Sequence, residues 1–445
     1  MAWGKVKPGW DKSQRTSASM STIYYQDIRP AREFSRIFIQ SRTKDGQIKR
    51  IGGDSWRVYL RGPSSIAATV FDHNNGTYEA LFLVMEPGTY TLKVILDFSL
   101  CDGFRDPPIN WFIKGNANGK FQKEGMLGHL DDLLYEKMAD GQLSLNITTA
   151  RMTTPFENIL SPESSCDEAC DFLLDGFGRW INDNEWLPYL NESSNARVEP
   201  GTQSAGSMIV YGDSLAYRFG LSIARNKNVC GGMYKTCSYR YSWIYPINTT
   251  TKEQSEKRRY DNLDFDEDRV VRFVRETLEH PTMDNNRSAL VFNMGLHFVM
   301  TINFTTYQHL TDRVIGVFLE KRSIGQNSAE LKYRTRIIWK TITAITKENE
   351  PNSLQVTHWR FYTNQRINLF NAYATWAMCK AGIPVLDVHP VSESFAPGAY
   401  DVTHYKDFVF NNAEKALEAF KINELNGRQS FRTQFLGSKC NLLKN

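Results

Sequence analysis

The chain has 445 residues, 41% hydrophobic and 23% charged, a globular balance that excludes intrinsic disorder and leaves room for two or more domains. Its formal net charge is only +4, and its short basic stretches, such as Lys257-Arg258-Arg259, make no stripe for nucleic acid. No apolar run reaches the roughly 18 residues of a membrane span, and Met1 to Lys12 holds three lysines without an apolar signal core.

In chain order, residues 1–28 are polar and aperiodic and are expected to form a tail. Residues 29–115 carry short alternating strands at 55–60, 66–71, 77–84 and 89–96, parted by the turns Asp72-His73-Asn74-Asn75-Gly76 and Glu86-Pro87-Gly88, a spacing that implies a β-sandwich. Residues 116–165 read as a connection with a helical pattern at 127–138 and a loop at 155–165. From 166 to 425, apolar runs (208–211, 289–293, 336–342, 383–388) alternate with amphipathic helical patterns (266–280, 309–321, 364–380). That alternation argues for an α/β domain of three layers, a parallel sheet between helices. Residues 426–445 are expected to form a second tail.

Two short motifs carry the chemistry. Gly212-Asp213-Ser214 follows the apolar run 208–211 and precedes a helical segment, so Ser214 sits at the carboxyl end of a strand where ligands bind in open α/β sheets. Asp401-Val402-Thr403-His404 supplies a base, His404, and a carboxylate, Asp401, able to fix its tautomer. A second triplet, Gly53-Asp54-Ser55, runs into an alternating strand and reads as structural. Oxyanion donors are expected from the Ser214 amide, from the side chain of Asn293 at the end of the run 288–292, and from Gly231 or Gly232 where a second strand should end. His389, two residues from Asp387, is a rival base. His297 is a candidate for the pocket, and His358 beside Trp359 for a substrate wall.

Seven cysteines (Cys101, Cys166, Cys170, Cys230, Cys237, Cys379, Cys440) lack the spacing of a zinc site, and no metal is expected. Six Asn-x-Ser/Thr sequons begin at Asn75, Asn146, Asn191, Asn248, Asn286 and Asn303. Together these features imply disulfides of open pairing and a secretory-pathway protein, Golgi-luminal or secreted, whose signal or anchor is absent from this chain.

These blocks, in this order, resemble the SGNH or GDSL hydrolase superfamily, and within it the PC-esterase group that pairs Gly-Asp-Ser with Asp-x-x-His. Cys170-Asp171, Gly178-Arg179-Trp180, Asp183 and Pro188-Tyr189 resemble the opening block of plant polysaccharide O-acetyltransferases, and residues 291–297 their Asn-x-Gly-His block. Asp72 to Tyr78 and Pro87 to Tyr90 are similar to a filamin-type immunoglobulin repeat, and the combination resembles the neurexophilin-and-PC-esterase family. Two departures stand out: Leu215 follows the serine where these families often carry Thr, and Arg218, which the resemblance makes a candidate for the pocket, is displaced by one position from their Arg.

The resemblance implies an SGNH-like parallel-sheet domain after a filamin-type immunoglobulin-like sandwich, with Ser214, His404 and Asp401 as triad and Asn293 with Gly231 or Gly232 as oxyanion hole. The activity expected is glycan O-acetyl transfer through an acyl-enzyme on Ser214. It requires no bound cofactor, takes an acyl donor such as acetyl-CoA as co-substrate, and delivers to a glycan or glycoconjugate acceptor. An esterase of the same fold is the near alternative. A catalytically inactive recognition module, engaging a protein partner through the immunoglobulin-like domain, is the distant one.

Overall fold

Buried and part-exposed side chains alternate along Phe34–Gln40, which is what a strand with one face on a core requires. The structure, a computed structural model, describes residues 15–99, 133–138, 143–149, 170–189, 205–242, 266–325, 328–349 and 362–425. Its first part is an antiparallel sandwich of β1 (Thr22–Asp27), β2 (Phe34–Gln40), β3 (Ser55–Arg61), β4 (Ser64–Ala67), β5 (Thr69–Asp72), β6 (Thr77–Leu83), β7 (Gly88–Phe98), β8 (Leu133–Lys137) and β9 (Leu143–Ile147). One sheet runs β1-β2-β6-β5; the other places β4, β3, β7 and β8 side by side, with β9 also on β7. Ile37, Ile39, Tyr78 and Ala80 of the first sheet meet Trp56, Val58, Leu60, Tyr90 and Leu92 of the second in one core.

The sandwich is larger than its sequence suggests. Residues 22–27, expected in a tail, are the edge strand β1, paired with β2 from Thr22↔Gln40 to Asp27↔Arg36. Residues 133–137, expected to be helical, pair antiparallel with β7, so a long strand's open edge overrides the local pattern. Residues 127–132 and 155–165 lie outside the described residues, as do most of the two tails.

After β10 (Phe172–Leu174), a hairpin of β11 (Gly178–Ile181) and β12 (Glu185–Pro188) adds itself to the sandwich through β4, pairing Trp180↔Ser65. A boundary at residue 166 therefore cuts through a shared sheet. Trp180 is 1% exposed and donates from its indole N–H to the Val391 carbonyl at 2.8 Å. Arg179 pairs with Glu86 at 2.7 Å, and the Tyr189 hydroxyl donates to the Leu83 carbonyl at 2.8 Å. Asp183 accepts from the Ser65 hydroxyl at 3.2 Å. The block Gly178-Arg179-Trp180…Asp183…Pro188-Tyr189 is thus the joint between the two parts.

The second part contains β13 (Ser207–Gly212), α1 (Ser214–Arg225), β14 (Thr236–Tyr241), α2 (Glu267–Leu278), β15 (Ala289–Phe292), α3 (Leu296–Thr301) and α4 (Phe304–Phe318). It continues with the ribbon β16 (Lys321–Gly325) and β17 (Ser328–Leu331), then β18 (Arg336–Lys340), α5 (Asn364–Lys380), β19 (Val385–Leu386), α6 (His389–Ser394) and α7 (Asn411–Leu425). The sheet is parallel throughout, in the order β10-β19-β18-β15-β13-β14. Successive residues of β13 serve opposite faces: Ile209 and Tyr211 pack toward α2, α4 and α5, whereas Met208 and Val210 pack toward α1 and α7. Burial on both faces explains the unbroken apolar runs and yields the three layers. Among the described residues the disulfides are Cys170–Cys379 and Cys230–Cys237. Cys101, Cys166 and Cys440 lie outside the described residues.

Candidate active site

Counted from β13, the parallel strands follow the doubly-wound order 2-1-3-4-5, in which the direction of strand addition reverses between β13 and β15. Ser214 follows β13 and Asn293 follows β15, so both emerge at that switch point. The turn into α1 is tight for two reasons. Gly212 has φ of 151°, and a Cβ there would meet Ala216 Cβ at 2.8 Å and the Asn293 carbonyl at 3.0 Å. Ser214 then opens α1, where the first helical amides have no intrahelical acceptor.

Ser214 Oγ lies 2.9 Å from His404 Nε2, and His404 Nδ1 lies 2.7 Å from Asp401 Oδ2. The other Asp401 oxygen accepts from the backbone N–H of Thr403 at 2.6 Å and of His404 at 2.7 Å. Burial works against ionising Asp401, but those amides and the His404 ring outweigh it and hold its carboxyl below its ordinary value. An ionised carboxylate on Nδ1 leaves Nε2 free to receive the Ser214 proton. The loop is anchored from below: Thr346 N donates to the Val402 carbonyl at 2.9 Å, and the Tyr405 hydroxyl donates to the Ala344 carbonyl at 2.9 Å. The three residues expected to work together are therefore brought together.

Asn293 is 2% exposed, and its Nδ2 donates to the Lys340 carbonyl at 2.7 Å, which fixes the amide plane at the strand edge and leaves a second N–H. Gly231 and Gly232 are not beside it. They precede β14, whose register with β13 begins at Ser207↔Thr236 and ends at Gly212↔Tyr241, so the glycine pair lies at the amino edge, a full strand length from Ser214. They hold the turn closed by the Cys230–Cys237 disulfide and cannot donate to an oxyanion at Ser214. At the correct edge the residue is Ser242, whose N–H donates to the Gly212 carbonyl at 2.6 Å.

His389 is excluded as the base. Its Nδ1 is 3.0 Å from the Ile342 carbonyl and its Nε2 is 3.6 Å from Glu393, while Asp387 accepts from the Thr341 hydroxyl at 2.9 Å. The first Gly-Asp-Ser is structural, as expected: Asp54 is buried against Lys49 at 3.2 Å and Thr16 at 2.6 Å. His297 is the second residue of α3, half-buried at the carboxyl edge, and His358 lies outside the described residues.

Four further residues shape the site. Asp213 is 2% exposed and accepts from Leu215 N at 3.0 Å and Leu296 N at 2.8 Å, capping α1 and α3 together. A side chain at Gly295 would collide with that carboxylate. Lys340, 1% exposed at the end of β18, has Phe219 and Phe410 at 5.6 and 5.7 Å, and burial pushes its pKa down to about 8 against the opposing pull of Asp213. Tyr400 stacks on the His404 ring at 6.1 Å and 24°, with the Arg218 guanidinium 5.4 Å from its centroid. Arg218, one helical turn beyond Ser214, is thereby placed beside the triad. Burial, and then the charges of Asp213 and Asp401, push the Tyr362 hydroxyl far up, so it stays protonated. Asp213 lay inside the motif that flagged Ser214. Lys340, Tyr400 and Tyr362 carry no local signature.

Among the described residues no cluster of three or more His, Cys, Asp or Glu side chains is placed to hold a metal ion, and no helix is long and apolar enough to cross a membrane.

Among known proteins, the Filamin/ABP280 repeat family matches residues 15–99. The matched span runs from ahead of β1 to the end of β7, so the amino-terminal sandwich is a filamin-type repeat. The crystal structure of the Lin-41 filamin domain is similar at 14% identity, covering 31% of this chain and 99% of its own, with a TM-score of 0.20. A second crystal structure is similar at 14% identity over 51% of this chain and 100% of its own, with a TM-score of 0.33. No curated protein matches the chain.

Proposed function

We propose that this protein is a serine-dependent glycan O-acetyltransferase of the SGNH, PC-esterase type, working in the secretory pathway. The observation that carries the reading is the relay Asp401–His404–Ser214, with links of 2.7 and 2.9 Å, at the switch point of a parallel sheet. Asn293, ending the next strand with an amide held flat, supports an oxyanion hole shared with the Ser214 amide. The motif blocks that resemble the neurexophilin-and-PC-esterase family and plant polysaccharide O-acetyltransferases support the same class.

In the reaction, His404 Nε2 takes the proton as Ser214 Oγ attacks the acyl carbon of a donor such as acetyl-CoA. The tetrahedral oxyanion is held by the Ser214 amide and the Asn293 side chain while Asp401 stabilises the imidazolium. Collapse expels the donor's thiolate, which takes the proton from His404 and leaves an acetyl ester on Ser214. A sugar hydroxyl then gives its proton to Nε2 and attacks that ester. The second collapse returns the proton to Ser214 and releases the acetylated glycan.

Hydrolysis is the same sequence with water as acceptor, and one observation favours keeping it as a second reading: the Asp401 and His404 side chains are 32% and 20% exposed, within reach of water. The intact relay argues against an inactive module. The filamin-type repeat, locked to the α/β part by a shared sheet, supports a role in engaging a protein partner. The two disulfides support an oxidising compartment.

Incubation with acetyl-CoA and no acceptor, followed by peptide mass spectrometry, tests the reading. An acetyl ester on Ser214 that a panel of glycans discharges faster than buffer does is the expected result. Discharge at the same rate with and without glycans gives an esterase, and acetyl on other residues but never on Ser214 overturns both.

A further inference from the structure

The outward face of the sheet β1-β2-β6-β5 carries a row of large side chains. Tyr25 pairs with Phe38, Phe38 with Glu79 and Glu79 with Phe71, and directly paired residues share a face. Their neighbours Ile37, Tyr78 and Ala80 point the other way into the core. Tyr24 and Tyr25 remain 54% and 56% exposed, both against Phe38 at 6.0 and 5.6 Å, because a bulge after Ile23 turns both rings to one side. An exposed aromatic row on a folded sheet is costly unless something covers it.

At the end of this row stands the hairpin tip that joins β5 to β6. His73 stacks on Phe38 at 6.2 Å and 14°, with its Nε2 3.4 Å from Glu79. Two residues on, Asn75 heads the sequon Asn75-Gly76-Thr77. Asn75 is exposed, and its Oδ1 accepts from the Thr77 N–H at 2.9 Å and the Thr77 hydroxyl at 2.6 Å. The carbonyl oxygen is therefore held inward and the Nδ2 group is left outward. Asp72 fixes the tip by accepting from Gly53 N and Asn74 N, both at 2.8 Å, and Gly76, at φ of 84°, sits where a Cβ would strike the Lys49 carbonyl.

The other described sequons lack this setting. Asn146 is exposed on β9 and Asn286 on a loop, each without an aromatic row beside it, and Asn303 is half-buried with its Oδ1 capping α4 through Thr306 N at 2.8 Å.

We propose that Asn75 carries an N-linked glycan whose first sugar packs on His73 and Phe38, so that the glycan covers the Tyr24–Tyr25–Phe38 face. A sugar ring offers a flat patch of C–H groups to an aromatic face and hydroxyls to Glu79 and the tyrosine hydroxyls, which is the chemistry this surface presents. The proposal rests on the secretory reading above.

Peptide mass spectrometry with and without glycosidase, on protein secreted from a eukaryotic host, reads occupancy. Thermal melts of Asn75→Gln, Tyr25→Ala and the double variant read the contact, with the same chains made in bacteria as the sugar-free control. Expected are occupancy at Asn75, a drop in Tm of about 2–4 °C for Asn75→Gln in the secreted protein, a smaller drop in the Tyr25→Ala background and no drop in the bacterial protein. Glycans on other sequons with Asn75 bare overturn the inference alone. So does an Asn75→Gln shift that is undiminished by Tyr25→Ala. No glycan on any sequon overturns the inference together with the compartment assignment, while leaving the triad chemistry untouched.

Discussion

The Asp213 carboxylate accepts the backbone N–H of Leu296 at 2.8 Å, across 83 residues of chain. The residue before the proposed nucleophile thus ties the start of α1 to the start of α3, and with it the strand ends that carry Ser214 and Asn293. Asp213→Asn keeps one acceptor but turns an amino group toward the second helical amide. The expected cost is about 1–3 kcal/mol of stability, together with slower modification of Ser214. Thermal melts and labelling rates check it; a variant that melts normally and labels normally contradicts the tie.

The Tyr400 ring, with Arg218 on it, stacks on the His404 ring, beside the backbone hydrogen bond from Tyr400 N to the His404 carbonyl at 2.8 Å. Removing an aromatic contact of this kind costs about 0.5–1.5 kcal/mol, so Tyr400→Ala should slow Ser214 modification roughly two- to tenfold. Tyr400→Phe should keep the wild-type rate. Equal loss in both variants points to the hydroxyl instead of the stack.

Asp401 is held below its ordinary carboxylate value, so it binds a proton less readily folded than unfolded. Its contribution to stability is present in full above the unfolded value of about 3.9 and is lost as pH falls through the lower folded value. Asp401→Asn should melt below wild type at neutral pH, and the gap should close as pH falls through the lowered folded value. Melting curves across that range check the sign.

Lys340 has the same sign at the alkaline end of the scale. Burial holds its folded pKa down at about 8, so between there and the ordinary lysine value of about 10.4 the unfolded chain binds more protons and stability rises with pH. Lys347, buried beside Asp97 and Arg57 and pushed down to about 7, contributes to the same rise. Lys340→Met should flatten part of the slope and leave the share of Lys347. An unchanged slope contradicts the assignment.

The nucleophile's setting was legible because β13 is buried on both faces, and an unbroken apolar run, a Gly-Asp-Ser turn and a helix can be read from consecutive residues. Asp401 and His404 were legible because their partnership is local. Strand β14 was not. It is an edge strand of sequence Thr-Cys-Ser-Tyr-Arg-Tyr, mostly exposed, with no apolar run to mark it, so nothing in the sequence shows that Gly231 and Gly232 lie ahead of it rather than at its end. Strands β1 and β8 escaped for the same reason, since an edge is defined by its partner. The hairpin β11–β12 was visible as a motif, but its pairing with β4 across more than a hundred residues left no trace in periodicity.

The central claim is that His404 activates Ser214, and labelling folded, secreted protein with a fluorophosphonate probe tests it most directly. The account predicts a single labelled peptide containing Ser214, abolished in Ser214→Ala and in His404→Ala while both variants stay folded and melt cooperatively. A well-folded wild-type protein that takes up no label, or one whose labelling survives His404→Ala, contradicts it.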